Sequence, residues 1–108
     1  AAPLHDLTQA FQEDIYGNPR LAEQIYGSGL AGEREMINLL QKLRGKPEEL
    51  VDIYRGVPEG VTDINPGDWV TLHPRYAEEY GNVISKKVPA KYITSWPDSL
   101  AEFGYYPK

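Results

Sequence analysis

Val51-Asp52-Ile53-Tyr54-Arg55-Gly56 is where the chain changes character. Apolar and polar residues alternate up to Tyr54, the types are those that favour strands, and Gly56 closes the run. Upstream of residue 51 the apolar residues recur at intervals of three and four, the period of a helix packed on one face. Leu4, Leu7, Phe11 and Ile15 predict a helix over 4–16. Pro19 opens a second over 19–26, with Leu21, Ala22 and Ile25 inward. Glu33 to Leu43 predicts a third, with Met36, Ile37, Leu39, Leu40 and Leu43 as its apolar face. Ile-Tyr-Gly at 15–17 and again at 25–27 reads as two helix ends, each with Gly in the left-handed capping position. Glu48-Glu49-Leu50 suits one more helical turn.

Downstream the pattern is short strands. Asp68 to Leu72 predicts one, broken by His73-Pro74. Pro74 to Tyr80 is a short helix ended by Gly81, Val83 to Val88 a strand, Ala90 to Ile93 an extended piece or a turn, and Glu102 to Tyr106 a last strand. Trp96 to Ser99 reads as a loop, as does Ser28 to Gly32. Strands that follow one another without helices between them predict an α+β fold: helices over 1–50, then a small, mainly antiparallel sheet over 51–108. The 108 residues suit one domain with one modest core.

Composition narrows the function. Sixteen acids against eleven bases give a net charge of -5, and the bases are scattered, which argues against a nucleic-acid binder. No Cys is present, so thiol chemistry and disulfides are excluded. Two His, far apart, exclude a His-rich metal site, and Glu33, Glu35, Glu48 and Glu49 read as solvated helix faces. No apolar run approaches the ~20 residues of a membrane span, and the opening Ala1-Ala2-Pro3, with His5 and Asp6 close behind, does not read as a signal peptide. The missing initiator Met suggests processing or a piece of a longer protein.

Three segments carry groups with chemistry to offer. Tyr54-Arg55-Gly56 ends a strand with a guanidinium, a fork that suits a pyrophosphate or carboxylate. Gly67-Asp68-Trp69-Val70-Thr71-Leu72-His73-Pro74 leads a strand into a helix with a hydroxyl and an imidazole at the junction; Thr71 reads equally as an ordinary strand residue and His73 as a helix cap. Tyr76 and Tyr80 follow on one face of that helix. Ala101-Glu102-Phe103-Gly104-Tyr105-Tyr106 brings a carboxylate into an aromatic strand, where it is poorly solvated and tends to be paired or functional.

Together, in this order, the segments resemble the Arg–Ser/Thr–Glu branch of the ADP-ribosyltransferase superfamily, in particular a transferase-like domain of phage-derived and polyvalent proteins. The resemblance covers residues 51–107. It implies NAD as substrate, with ADP-ribose transferred and nicotinamide released, and no metal. Arg55 would hold an NAD phosphate, Thr71 would bond the ribose or brace Glu102, and Glu102 would accept from the ribose 2′-OH and stabilise the oxocarbenium. Trp69, Tyr76, Tyr80 or Phe103 would stack on the nicotinamide, and His73 would contact the adenosine ribose. Tyr54 and Gly56 flank Arg55 in the same cofactor-binding segment. The partners implied are NAD and an acceptor, a protein among the candidates. The setting implied is cytoplasmic, or that of a delivered toxin or effector. Two other readings stay open: a catalytically degenerate, protein-binding module of the same fold, and a small ribonuclease-like toxin using His73 with Arg55 or Arg75.

Overall fold

The protein is described here by a computed structural model covering residues 2–11, 14–26, 32–95 and 101–107. Its elements in chain order are helices α1 (Asp14–Gly17), α2 (Pro19–Tyr26) and α3 (Glu33–Leu43), strands β1 (Leu50–Val57) and β2 (Trp69–Val70), helix α4 (Pro74–Ala77), and strands β3 (Asn82–Pro89), β4 (Ile93–Ser95) and β5 (Phe103–Tyr105). Single 3-10 turns lie at Leu7–Gln9, Glu78–Tyr80 and Ala90–Tyr92. Helices precede strands, and the fold is α+β as the sequence pattern predicts.

The strand at the centre of the sequence argument begins one residue earlier than predicted and runs through Gly56 to Val57. It pairs antiparallel with β3 along its whole length, from Leu50↔Pro89 to Val57↔Asn82. A second sheet has the order β2-β5-β4, again antiparallel, with Trp69 opposite Gly104 and Thr94 opposite Gly104 from the other side. One residue pair joins the two sheets. The Tyr54 N–H donates to the Thr71 carbonyl at 2.9 Å and the Thr71 N–H donates back at 2.8 Å. On the far side Pro3 bridges Thr94, and the Leu4 N–H donates to the Ile93 carbonyl at 2.9 Å.

Side chains alternate across these strands. Val51, Ile53, Val57, Val70, Phe103, Tyr105, Ile93 and Val88 share the face that meets the core, and all are buried. Met36, Ile37, Leu40 and Leu43 of α3 belong to the same core, with Leu39 partly buried beside them. Ala22 of α2 is buried too; the Ile25 side chain, Gly27, and the loops over 28–31 and 96–100 lie outside the described residues.

The predicted helix over 4–16 is corrected. Leu4, Leu7, Phe11 and Ile15 are all buried, so the stripe is right, but the chain is extended at Pro3 and turns at Leu7 before α1 begins. Asp6 explains part of this. Its carboxylate accepts from the Thr8 N–H and hydroxyl, which starts a new turn there rather than continuing one. Gly17 is the last residue of α1 without a positive φ, so it is not a left-handed cap. Asn18 marks the boundary instead, its side-chain oxygen accepting from the Leu21 N–H at 3.1 Å at the head of α2. Glu48 and Glu49 form no helical turn of their own. The Glu49 and Pro47 carbonyls accept from the Ala90 and Lys91 N–H groups, and Leu50 enters β1.

Candidate functional site

Thr71 sits at the junction of the two sheets, with Tyr54-Arg55 on one neighbouring strand and the strand entered by Glu102 on the other. The chain from Trp69 to Thr71 is therefore the middle of three adjacent segments, with the guanidinium on β1, the hydroxyl just after β2 and the carboxylate just before β5. Thr71 is fully buried, and its hydroxyl accepts from the His73 N–H at 3.5 Å. Glu102 lies immediately before β5 and is half-buried.

Arg55 belongs to the same alternation phase as Ile53 and Val57, whereas Thr71 shares that of Tyr54. Its side chain turns at the rim of the core. Nη1 donates to the Trp69 carbonyl at 3.1 Å, and Nε lies 3.8 Å from the Asp68 carboxylate. The side chain keeps 30% of its surface exposed. Such a guanidinium can meet an anion, but it already has a carboxylate beside it.

That carboxylate is placed by a turn. In Asn65-Pro66-Gly67-Asp68, Pro66 supplies a fixed φ and Gly67 takes φ 88°, the combination a type II turn requires. The Asp68 N–H donates to the Asn65 carbonyl at 3.0 Å, and the Asn65 N–H donates to Asp68 Oδ2 at 2.8 Å. Gly67 N–H donates to the Tyr105 carbonyl at 2.7 Å, tying the turn to β5. Further back in the loop, Lys86 lies 3.4 Å from Asp63 and also reaches the Ile64 carbonyl, and Ile64 is buried.

The other alternation phase carries aromatics. Trp69 meets Tyr80 edge-on, with ring centroids 5.0 Å apart. Tyr80 packs over Gly56, and a Cβ there would lie 2.8 Å from the Tyr80 Cβ and 2.0 Å from the Ala77 carbonyl oxygen. Gly104, opposite Trp69, plays the same part for Tyr106, whose ring occupies the space a side chain would need. Tyr80 and Tyr106 are 57% and 47% exposed. Tyr80 over β1, Trp69 on β2 and Tyr106 over β5 thus share this phase, with Tyr80 and Tyr106 exposed and Trp69 partly so.

Not every predicted ligand-binding residue joins it. Phe103 is fully buried in the core, so its ring is not available to stack on a ligand. Tyr76 is 5% exposed and belongs to the core as well. His73 is used structurally. Nδ1 accepts from the Arg75 N–H at 3.2 Å, capping α4, and Nε2 lies 2.9 Å from Glu35 of α3. With Nδ1 accepting, the neutral ring carries its proton on Nε2 and donates it to Glu35. This is the cap reading of His73, and it leaves neither nitrogen for a ribose or for acid–base work.

Asp68 and Tyr106 escaped the sequence reading. Asn65-Pro66-Gly67 reads as a loop ahead of the strand, and the Asp68 that follows it faces Arg55 itself, its Oδ2 3.8 Å from Nε. Tyr106 needed the knowledge that Gly104 leaves room for it. Among the described residues, no three His, Asp or Glu side chains gather as metal ligands, and no helix is long and apolar enough to cross a membrane. No family model, curated protein or solved structure matches the chain.

Proposed function

We propose that the chain is an NAD-dependent mono-ADP-ribosyltransferase-like domain that releases nicotinamide and passes ADP-ribose to an acceptor. The observation that carries this is the strand adjacency: Arg55, Thr71 and the approach to Glu102 lie on three neighbouring segments although they are far apart in sequence. The partly exposed Arg55 fork fits one NAD phosphate as a charge-assisted pair. The edge-on Trp69 and Tyr80 rings suit a flat nicotinamide. Thr71, being buried, acts as a positioning group at the sheet junction rather than as a ribose contact.

The chemistry asked of Glu102 is limited. Its carboxylate accepts from the ribose 2′-OH and opposes the positive charge that grows at C1′. The C1′–N bond breaks, its electron pair leaves with nicotinamide, and a nucleophile of the acceptor bonds to C1′ as it loses its proton. A protein side chain is the acceptor class proposed, in the cytoplasm or in a cell that receives the domain as an effector.

Nicotinamide release from NAD is the test. Glu102→Gln removes the negative charge and keeps the shape, so release should fall about 10²–10³-fold, as when one well-placed electrostatic group is lost, with NAD binding retained. Turnover equal to wild type in Glu102→Gln overturns the assignment. One observation favours a second reading, a non-catalytic module of the same fold that binds a protein: Arg55 is already held by Asp68 and the Trp69 carbonyl, in the alternation phase opposite to Thr71. Stoichiometric binding of a protein partner without nicotinamide release supports it.

A further inference from the structure

We propose that Asp68 is a built-in competitor for the anion site at Arg55, so that it sets how tightly a phosphate-bearing ligand is held. The inference rests on the ADP-ribosyltransferase reading for the identity of that ligand, a dinucleotide pyrophosphate. It goes beyond it in assigning regulation of the site to a residue outside the triad.

The geometry is specific. Asp68 is not a mobile surface acid that drifts past an arginine. The turn from Asn65 to Asp68 is closed at both ends, by the Asp68 N–H to the Asn65 carbonyl and by the Asn65 N–H to Asp68 Oδ2. Its backbone is fixed again where the Tyr105 N–H donates to the Asp68 carbonyl at 3.1 Å. The carboxylate is thereby presented to the guanidinium at 3.8 Å from Nε. Both partners are about equally exposed, at 30% and 27%, so solvent and a ligand reach them together.

Nη1 of Arg55 is taken by the Trp69 carbonyl, which orients the fork. An incoming phosphate must either share the guanidinium with Asp68, against the repulsion of two anions, or displace it. Both routes weaken binding in proportion to the strength of the Arg55–Asp68 pair. A ligand fragment without phosphate meets no such opposition. Asp68 therefore discriminates by charge, and any event that neutralises or turns it away raises affinity for phosphate-bearing ligands alone.

Asp68→Asn is the decisive variant, because its amide oxygen still accepts from the Asn65 N–H and keeps the turn. Calorimetric titration with NAD, inorganic pyrophosphate and nicotinamide is run on wild type, Asp68→Asn, Arg55→Met and the double variant, with the melting temperature of each as a folding control. Asp68→Asn should tighten NAD and pyrophosphate about fivefold, the upper range for an exposed ion pair, and leave nicotinamide unchanged. In the Arg55→Met background the same substitution should change nothing, which isolates the coupling. Should Arg55→Met not fold, Arg55→Lys replaces it, and the gain from Asp68→Asn should shrink because the planar fork is gone.

Unchanged or weaker binding of NAD and pyrophosphate in Asp68→Asn overturns the inference while leaving NAD as the ligand. A gain that persists without Arg55 overturns it too, since Asp68 would then act by general charge. If neither wild type nor Asp68→Asn binds NAD, the ADP-ribosyltransferase reading falls; a pyrophosphate gain in Asp68→Asn alone would still uphold the competition, and its absence would end both.

Discussion

Gly56→Ala is the sharpest test of how α4 sits on β1. An ideal Cβ at Gly56 would lie 2.0 Å from the Ala77 carbonyl oxygen and 2.8 Å from the Tyr80 Cβ, where ordinary contact begins at 3.4 Å. The nearest obstacle is backbone, so no side chain can swing away to make room. To reach even 3.0 Å the helix must retreat by about 1 Å, carrying Tyr80 away from Trp69. Forcing a methyl into such a contact costs about 1–3 kcal/mol, and the backbone obstacle argues for the upper end. Alanine recovers part of this, roughly 0.4–1 kcal/mol, by restricting the unfolded chain. A net loss of about 2 kcal/mol corresponds to a fall in melting temperature of about 10 °C for a domain of this size. Gly17→Ala is the control. Nothing lies within 4 Å of a Cβ there and its φ is not positive, so it should be neutral or gain up to about 1 kcal/mol. Thermal unfolding followed by circular dichroism measures both. A Gly56→Ala protein melting within about 2 °C of wild type would refute the close packing of α4 on β1.

His73→Ala removes the side-chain cap of α4 and the bond to Glu35, and should cost about 1–2 kcal/mol in denaturant titrations; His73→Asn, which can still cap, should recover most of that. Burial raises the phenol pKa of Tyr16 above its ordinary value, with the hydrogen bond from the Leu7 N–H opposing. Because the fold favours the neutral phenol, this contribution is whole below about pH 10 and is lost as pH rises through the raised value. The drop in stability between about pH 8 and about pH 11 should therefore shrink in Tyr16→Phe, and an unchanged drop would count against the burial argument.

The strands and helices with strong periodicity were legible: α3 spans the predicted Glu33–Leu43, and β1 and β3 differ from expectation only at their ends. The stripe from Leu4 to Ile15 gave the right buried residues but the wrong conformation, because the 3.6 period reports which side chains turn inward and not whether the backbone hydrogen bonds are local. β4 went unrecognised as a strand, since three residues show too little alternation to read. The candidate site shows in the sequence only as an order of residue types. Its pairing does not show there. Arg55 and Thr71 were expected to converge, whereas the register gives them opposite phases, and that register is set by long-range pairing of Tyr54 with Thr71. Phe103 and Tyr76 read as possible stackers because aromaticity alone does not distinguish a core ring from an exposed one.

The chain's own second to fourth residues lie along β4, and this decides how the protein can stick to itself. Pro3 has no N–H to offer, so the outermost backbone on that flank is a poor template for a further strand. On the opposite flank β3 has β1 as its only strand neighbour among the described residues, but Lys86 and Lys87 stand in its middle and Pro89 at its end. Charge guards one border and an imino acid the other. Fibril growth by strand addition is thus opposed at both borders by different means, and replacing the two lysines by neutral β-formers should open the eight-residue edge of β3 as a template.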